Sequence, residues 1–401
     1  MKEYTIAEIL SEPTRNGLTK PKAIRGVGVP MISMREIFAH SRIANVEMDR
    51  VPVTDKELES YSINAGDIVF ARQSLTLAGA GKCSIITKIS EPTVFESHLI
   101  RMRINTEIAD PYYVYYYFNS YEGKNRVKSI VEQVAAAGIR SSDLVKLKIF
   151  LPSKDTQRRI AGFLNKIDTK IETNNEINKN LEQQIESLLQ AFLDNKDAIL
   201  VKLGDYLYIK GRIGWKGLKK SEYLSQSGYR IINGETLTKS GIDWNKAGYI
   251  SEERYVESPE IMLQVGDILL SKDGTIGKIG YVDSLELPTS VASGIFVIRN
   301  NKPDIISTTF IYYLLKSSLF ESFIAARTEG SVIPHLYQKD FMEFEFPLPS
   351  FGKMAEFEKL TEPMFSQIVN NLNENKKLVA LRDALLPKLM SGELDVTDLD
   401  I

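Results

Sequence analysis

Two cation-rich runs free of carboxylates are the residues best placed to do chemistry. Between Pro13 and Arg35 the chain carries Arg15, Lys20, Lys22, Arg25 and Arg35, interleaved with Gly17, Gly26 and Gly28. Between Lys210 and Lys220 it carries Lys210, Arg212, Lys216, Lys219 and Lys220, five cations in eleven residues. Glycine-interrupted basic loops of this kind suit contact with phosphate, although the first run taken alone is equally a solvated loop. Catalytic patterns are missing beside them. Gly274-Thr275-Ile276-Gly277-Lys278 is too short for a nucleotide-binding loop, and Ile279 stands where such a loop needs a hydroxyl. His40, His98 and His335 stand apart with no metal-ligand spacing, and Cys83 is the sole cysteine. Neither a Gly-x-Ser-x-Gly elbow nor the Asn-Pro-Pro-aromatic run of an amino-methyltransferase occurs. This is the pattern of a reader rather than a catalyst, and with a net charge of −2 any anion-binding surface must be local.

The elements that position these residues are written twice. In the first copy Gly66-Asp67-Ile68-Val69-Phe70-Ala71 reads as a turn and buried strand that delivers Arg72, Gln73 and Ser74 to its far end, with Gly79, Gly81 and Lys82 following. An offset of 200 gives Gly266-Asp267-Ile268-Leu269-Leu270-Ser271, ending in Lys272 and Asp273, with Lys278 following. The aromatic-rich helix expected from Asp110 to Tyr121, read as core rather than as a base-stacking face, is matched by Phe310 to Phe323. The loop from Ala135 through Gly138 and Arg140 to Leu144 is matched by Gly330 to Leu336, which contains His335. Leu151-Pro152-Ser153 returns as Leu348-Pro349-Ser350 at an offset of 197. The first copy is slightly cationic, with 20 Lys and Arg against 17 Asp and Glu over residues 1–153; the second is not, so its attraction for an anion rests on the 210–220 loop.

Each copy feeds a long amphipathic helix. Apolar and Asn positions at 160, 164, 167, 171, 174, 178, 181, 185, 188 and 192 alternate by four and three, the spacing of a coiled-coil seam. Adding 197 converts Ile167, Ile171, Asn174, Asn178, Leu181 and Leu188 into Met364, Ile368, Asn371, Asn375, Leu378 and Leu385. Asn inside a seam costs stability and fixes register, because it is tolerated only against another polar group. Antiparallel pairing would bring Asn174 to Asn375 and Asn178 to Asn371; parallel pairing matches the Asn residues equally well, and the domain-helix order favours antiparallel. The expected fold is therefore α/β (α+β): two tandem domains, residues 1–153 and 197–350, joined by two long helices, residues 154–196 and 351–401, in an antiparallel coiled coil with a pseudo-two-fold internal repeat.

A 43% hydrophobic, 25% charged chain of this length is ordinary for a soluble protein. One cysteine rules out an internal disulfide and suits the cytoplasm. Met1 to Ile9 lacks the basic start and apolar core of a signal peptide, and no run of about 18 apolar residues suggests a membrane span.

The order domain, helix, domain, helix, with Gly-Asp-Ile-Val/Leu strands and Leu-Pro-Ser-x-x-x-Gln157-Arg158-Arg159-Ile160-Ala161 opening the first helix, resembles the DNA-specificity subunit of type I restriction-modification systems over essentially the whole chain. The resemblance implies two target recognition domains, each reading half of a split, asymmetric site in double-stranded DNA, with the coiled coil setting the gap. It implies two modification subunits as partners, which methylate adenine, and restriction-translocase subunits; S-adenosylmethionine, ATP and Mg would be used only by those partners, and this chain would hold no cofactor and no metal. It also places Arg72, Lys272, Asp273 and the loops around Arg140 and His335 toward DNA. Candidates for base contact by chemistry are Gln73, Asn233 and Gln338. The second helix begins Phe351-Gly352-Lys353-Met354 and lacks the Gln seen at 157, which bears on its docking contacts. A seam from 160 to 192 is ~48 Å long, more than the ~34–36 Å of one DNA turn. Two other classes fit the sequence less well: a structural spacer with two protein-binding domains, and the recognition half of a fused restriction enzyme.

Overall fold

The computed structural model describes residues 1–133, 137–213, 217–238, 241–328 and 335–394. It divides into two units, Met1–Glu172 with Asn375–Ile401 and Thr173–Glu374, so that each long helix is shared between them. The first helix spans Lys154–Leu193 and the second Phe351–Ser391.

Within the first unit, strand Ile68–Ala71 lies in a five-stranded sheet between Leu99–Met102 and Cys83–Ile86, with Arg15–Asn16 and Arg42–Ile43 at its edges. All four residues of Ile68–Ala71 are buried, as expected of a central strand. The turn before it explains the Gly-Asp motif. Gly66 sits at φ 90°, a region that disfavours any side chain. Asp67, 1% exposed, caps the turn by accepting the Asn64 N–H at 2.8 Å and receives both Nε and Nη2 of Arg103 at 2.7 Å. That bidentate pair ties the turn to the neighbouring strand's end and compensates the buried carboxylate. A second, three-stranded sheet runs Asp49–Val51, Val29–Ile32, Val94–Phe95, its last pairing parallel.

The second unit repeats each device. Ile268–Ser271 lies between Ile295–Asn300 and Ile279–Tyr281, with Leu207–Gly211 on the far side of Ile295–Asn300. Gly266 has φ 96°, and Asp267 receives the Gln264 N–H at 2.7 Å and Arg299 in the same two-pronged way. Gly248–Ile250, Tyr229–Ile232 and Thr289–Val291 reproduce the small sheet, parallel pairing included.

Each domain is closed by a clasp. Lys2–Thr5 pairs antiparallel with Lys148–Leu151, from Lys2 opposite Leu151 to Thr5 opposite Lys148. Ile199–Lys202 pairs with Glu345–Leu348 in the same register, shifted by the repeat.

The long helices pack antiparallel in each unit. In the first, Asp168 accepts Nη1 of Arg382 at 2.8 Å, while Ile160, Leu164, Leu386 and Leu389 enter the domain core. In the second, Asn371 Nδ2 donates to Asn178 Oδ1 at 2.8 Å, and Phe192 meets Phe357 at 5.3 Å between centroids. Asn174, Asn178, Asn371 and Asn375 are all buried. The expected Asn178–Asn371 contact is present, and Asn174 donates to Glu374 Oε2 at 2.7 Å.

The aromatic helix, Pro111–Asn119, is core: Tyr113, Tyr115, Tyr116 and Tyr117 are buried, and the Tyr116 hydroxyl donates to Asp168 at 2.6 Å. Gln157 is internal as well. It accepts the Asp110 N–H at 2.9 Å and donates to the Pro152 carbonyl at 3.0 Å, fastening that helix to the start of the long one. At the equivalent place Met354 fills the second core.

Candidate nucleic-acid interface

The two central strands end in the same construction. Arg72 donates its N–H to the His98 carbonyl at 2.8 Å and accepts the Ile139 N–H at 2.9 Å. Lys272 donates to the Gly294 carbonyl at 2.9 Å and accepts the Leu336 N–H at 2.9 Å. Each cation is thereby held between the end of the adjacent strand and the loop that precedes the long helix. Arg72 is half-buried and its Nη1 reaches the Ser97 carbonyl at 3.4 Å. Lys272 lies with Nζ 4.9 Å from the Phe296 ring centre, and burial pushes its ammonium below the usual lysine range while Asp273 pulls the other way.

The residues that follow face solvent. Gln73 is exposed, and strand Gln73–Ser74 pairs with Ala137–Gly138. Ser74 Oγ accepts the Thr76 N–H at 3.1 Å, shaping the loop beyond. Exposed Asp273 bonds His335 Nδ1 through its carboxylate and pairs with it as an isolated bridge. Sequence distance had left both His335 and His98 standing apart; strand pairing brings them to these ends. Arg140 is exposed near the first site and pairs with Glu132 at 2.6 Å.

Lys82 and Lys278 fasten loops. Lys82 Nζ donates to the Phe38 carbonyl at 2.9 Å, and Lys278 Nζ to the Gly234 carbonyl at 2.9 Å. Asn233 turns its Oδ1 to the N–H groups of Glu235 and Thr236 at 2.9 and 3.1 Å, and Gln338 reaches the Met342 sulfur at 3.9 Å.

The basic loops are less free than their sequences imply. Lys20 is paired with Glu57 at 2.9 Å, and Arg25 with Asp49 at 2.9 Å and Glu96 at 4.0 Å. Their carboxylates come from distant segments, so an acid-free run becomes partly neutralised on folding. Arg212 is a correction to the expected phosphate contact. It is 2% exposed, with Nε on the Val291 carbonyl at 3.1 Å and its other nitrogens on Ser258 and Ser290. Burial, reinforced by Arg254, lowers the pKa of a guanidinium so placed. Lys22, Lys210, Lys219 and Lys220 are exposed; Arg15 is exposed with its guanidinium 5.5 Å from the Tyr61 ring centre. Lys216 lies outside the described residues, as do 214–215 and 330–334. Among the described residues no group of His, Cys, Asp and Glu could hold a metal ion, and no helix is long and apolar enough to cross a membrane.

This is a duplicated α/β protein built on paired long helices, with one cation-bearing strand end per copy. The chain belongs to the family of the type I restriction modification DNA specificity domain, whose model matches residues 2–183 and again 195–377. It is similar to the putative type I restriction enzyme MjaX specificity subunit of Methanocaldococcus jannaschii, 25% identical with 96% of this chain and 92% of that protein covered. The EcoKI specificity subunit of Escherichia coli is 26% identical over 40% of this chain and 34% of its own length. Among solved structures, the type I restriction-modification S subunit from M. genitalium has the same fold, with a TM-score of 0.61, 19% identity, and 97% of this chain and 95% of that one covered.

Proposed function

We propose that this chain is the specificity subunit of a type I restriction-modification complex that reads a split, asymmetric site in double-stranded DNA, one half per domain. The paired helices set the gap between halves and hold two modification subunits; restriction-translocase subunits join them. The chain contributes recognition and no catalytic group, while S-adenosylmethionine, ATP and Mg serve the partner subunits.

The observation that carries this reading is the repeated strand end. The backbone partners of Arg72 and Lys272 are equivalent, yet the side chains at and beside them differ: Arg72 and Gln73 in one domain, Lys272 and Asp273 in the other. One scaffold with two different surfaces is what independent readout of two unlike half-sites requires, because base identity is carried by side-chain donors and acceptors in the major groove while phosphate contacts only position. Exposed Arg15, Lys22, Lys210, Lys219 and Lys220 are the candidates for phosphate contact.

The test is co-expression with the cognate modification subunit, followed by sequencing of methylated sites. A two-part motif with a fixed gap is expected. A continuous motif, or methylation without sequence preference, refutes the reading.

A further inference from the structure

Two of the chain's three histidines flank equivalent strand-end residues, and they do so from opposite sides. The backbone bonds of Arg72 and Lys272 fix the equivalence: His98 corresponds to Gly294 through the accepting carbonyls, and Gly138 to His335 through the residues preceding Ile139 and Leu336. In the first domain His98 Nδ1 lies 3.2 Å from Gln73 Oε1, and the opposite flank is Gly138, where an added Cβ would lie 3.6 Å from Gln73 Cγ. In the second domain the arrangement is exchanged. His335 Nδ1 bonds the Asp273 carboxylate, and the opposite flank is Gly294, where a Cβ would lie 3.4 Å from Asp273 Oδ2. Gln73, His98 and Asp273 are exposed, and the His335 side chain is 34% exposed against the Tyr337 ring.

We propose that Gln73–His98 and Asp273–His335 are the base-reading pairs of the two half-sites, an inference that rests on the DNA-reading function proposed above. Each pair sets an imidazole Nδ1 against a side-chain oxygen, at an open strand end beside a cation. The donor pattern follows from the partner. A carboxylate oxygen accepts from His335 Nδ1, and in the tautomer with its hydrogen there Nε2 is left as an acceptor. Such an acceptor suits the exocyclic amino group of adenine or cytosine in the major groove. In the first domain the Gln73 Oε1 accepts from His98, leaving the amide's own hydrogens beside the ring's Nε2 acceptor. A donor next to an acceptor complements the N7 and N6 edge of adenine. Asp273 is a positioning residue in this scheme, because it acts on the base through His335.

The experiment uses the complex with its modification subunit and sequences methylated sites for the unaltered chain, His98→Ala, His335→Ala, His335→Gln and Asp273→Asn, with thermal melting of each to verify folding. His98→Ala should relax one base position in one half, by about ten-fold or more in discrimination, and leave the other half unchanged. His335→Ala should do the same in the opposite half, and His335→Gln, which keeps an acceptor, should relax it less. Asp273→Asn replaces a group that accepts from Nδ1 by an amide that can present either its oxygen or its NH2, so the ring hydrogen is no longer held on Nδ1 and that same position should come to admit guanine, which offers acceptors there. Mere loss of packing would not redirect the base. Unchanged motifs in both alanine variants, or changes in both halves from either one, overturn the inference while the proposed function stands. Failure of the unaltered complex to methylate a split motif overturns the function itself, and this inference with it.

Discussion

Asn371 donates a hydrogen bond from Nδ2 to Oδ1 of Asn178 at 2.8 Å, with both side chains buried in the seam between the long helices. Asn178 also lies 3.5 Å from the Ile368 carbonyl, and Asn371 receives Gln367 at 2.7 Å, so each amide has a second partner. Replacing either one by Leu strands the other and should cost about 1–3 kcal/mol; replacing both should cost less than the sum. Thermal melting of the double-mutant cycle measures this, and strictly additive losses would show that the two amides do not support each other.

Cys83 should be inert to thiol reagents in the folded chain. Burial pushes its thiol up to about 12, opposed only weakly by the Asn119 amide at 3.4 Å and two lysines. The folded value lies above the unfolded one, so the stability held by the neutral thiol is complete below the unfolded value of ~8.5 and is lost as pH rises toward 12. Reaction with a disulfide reagent at pH 8 should proceed at the rate of local opening and accelerate sharply in denaturant. Immediate stoichiometric reaction without denaturant would contradict the buried placement.

Arg212 and the lysines beyond it should separate cleanly. Arg212→Ala removes a buried guanidinium bonded to Val291, Ser258 and Ser290, and should lower stability by about 3 kcal/mol. Lys219→Ala with Lys220→Ala should leave melting unchanged, weaken DNA binding by the assembled complex for all sequences alike, and reduce the slope of log affinity against log salt by about two. A slope that does not move would remove these lysines from the phosphate-contacting surface.

Spacing should respond to changes at the helix centres. Inserting seven residues near Glu182 to Leu188 would disturb the second domain, because Ile185 and Leu189 are in its core and Glu182 pairs with Lys316 at 3.0 Å. Both helices cross from one unit to the other, the first after Glu172 and the second after Glu374, so matched seven-residue insertions at those two points keep the seam in phase. The methylated motif should keep its bases in both halves and widen its gap. Altered bases with an unaltered gap would contradict the ruler.

The sequence was most legible where a local rule has one physical solution. Gly66-Asp67 and Gly266-Asp267 announce a turn that needs positive φ and a capping carboxylate, and the four-three spacing from Ile160 to Phe192 can only be a helical stripe. It was least legible where partners come from far along the chain. Nothing near Lys20 or Arg25 foretells Glu57, Asp49 or Glu96. Arg212 reads as one more cation in a basic loop until its neighbours Ser258, Ser290 and Val291 fold around it. The exchange of His98 and His335 across equivalent flanks is invisible to a single offset, since it depends on which strand end and which loop meet residues 72 and 272. Register slips of three residues between the copies hide it further.

The clasp strands bear on inheritance as well as on folding. Where Lys2–Thr5 lies beside Lys148–Leu151, and Ile199–Lys202 beside Glu345–Leu348, the entry and exit of each domain are neighbours in one antiparallel pair, about 5 Å apart. A foreign segment spliced in at those strands must present two adjoining ends and a core face that accepts the same helix residues, Ile160, Leu164, Leu386 and Leu389 in the first domain or Ile185 and Leu189 in the second. A gene built this way can exchange one domain by recombination at two short stretches, replacing a whole folded unit in a single event while the coding of the other is left intact.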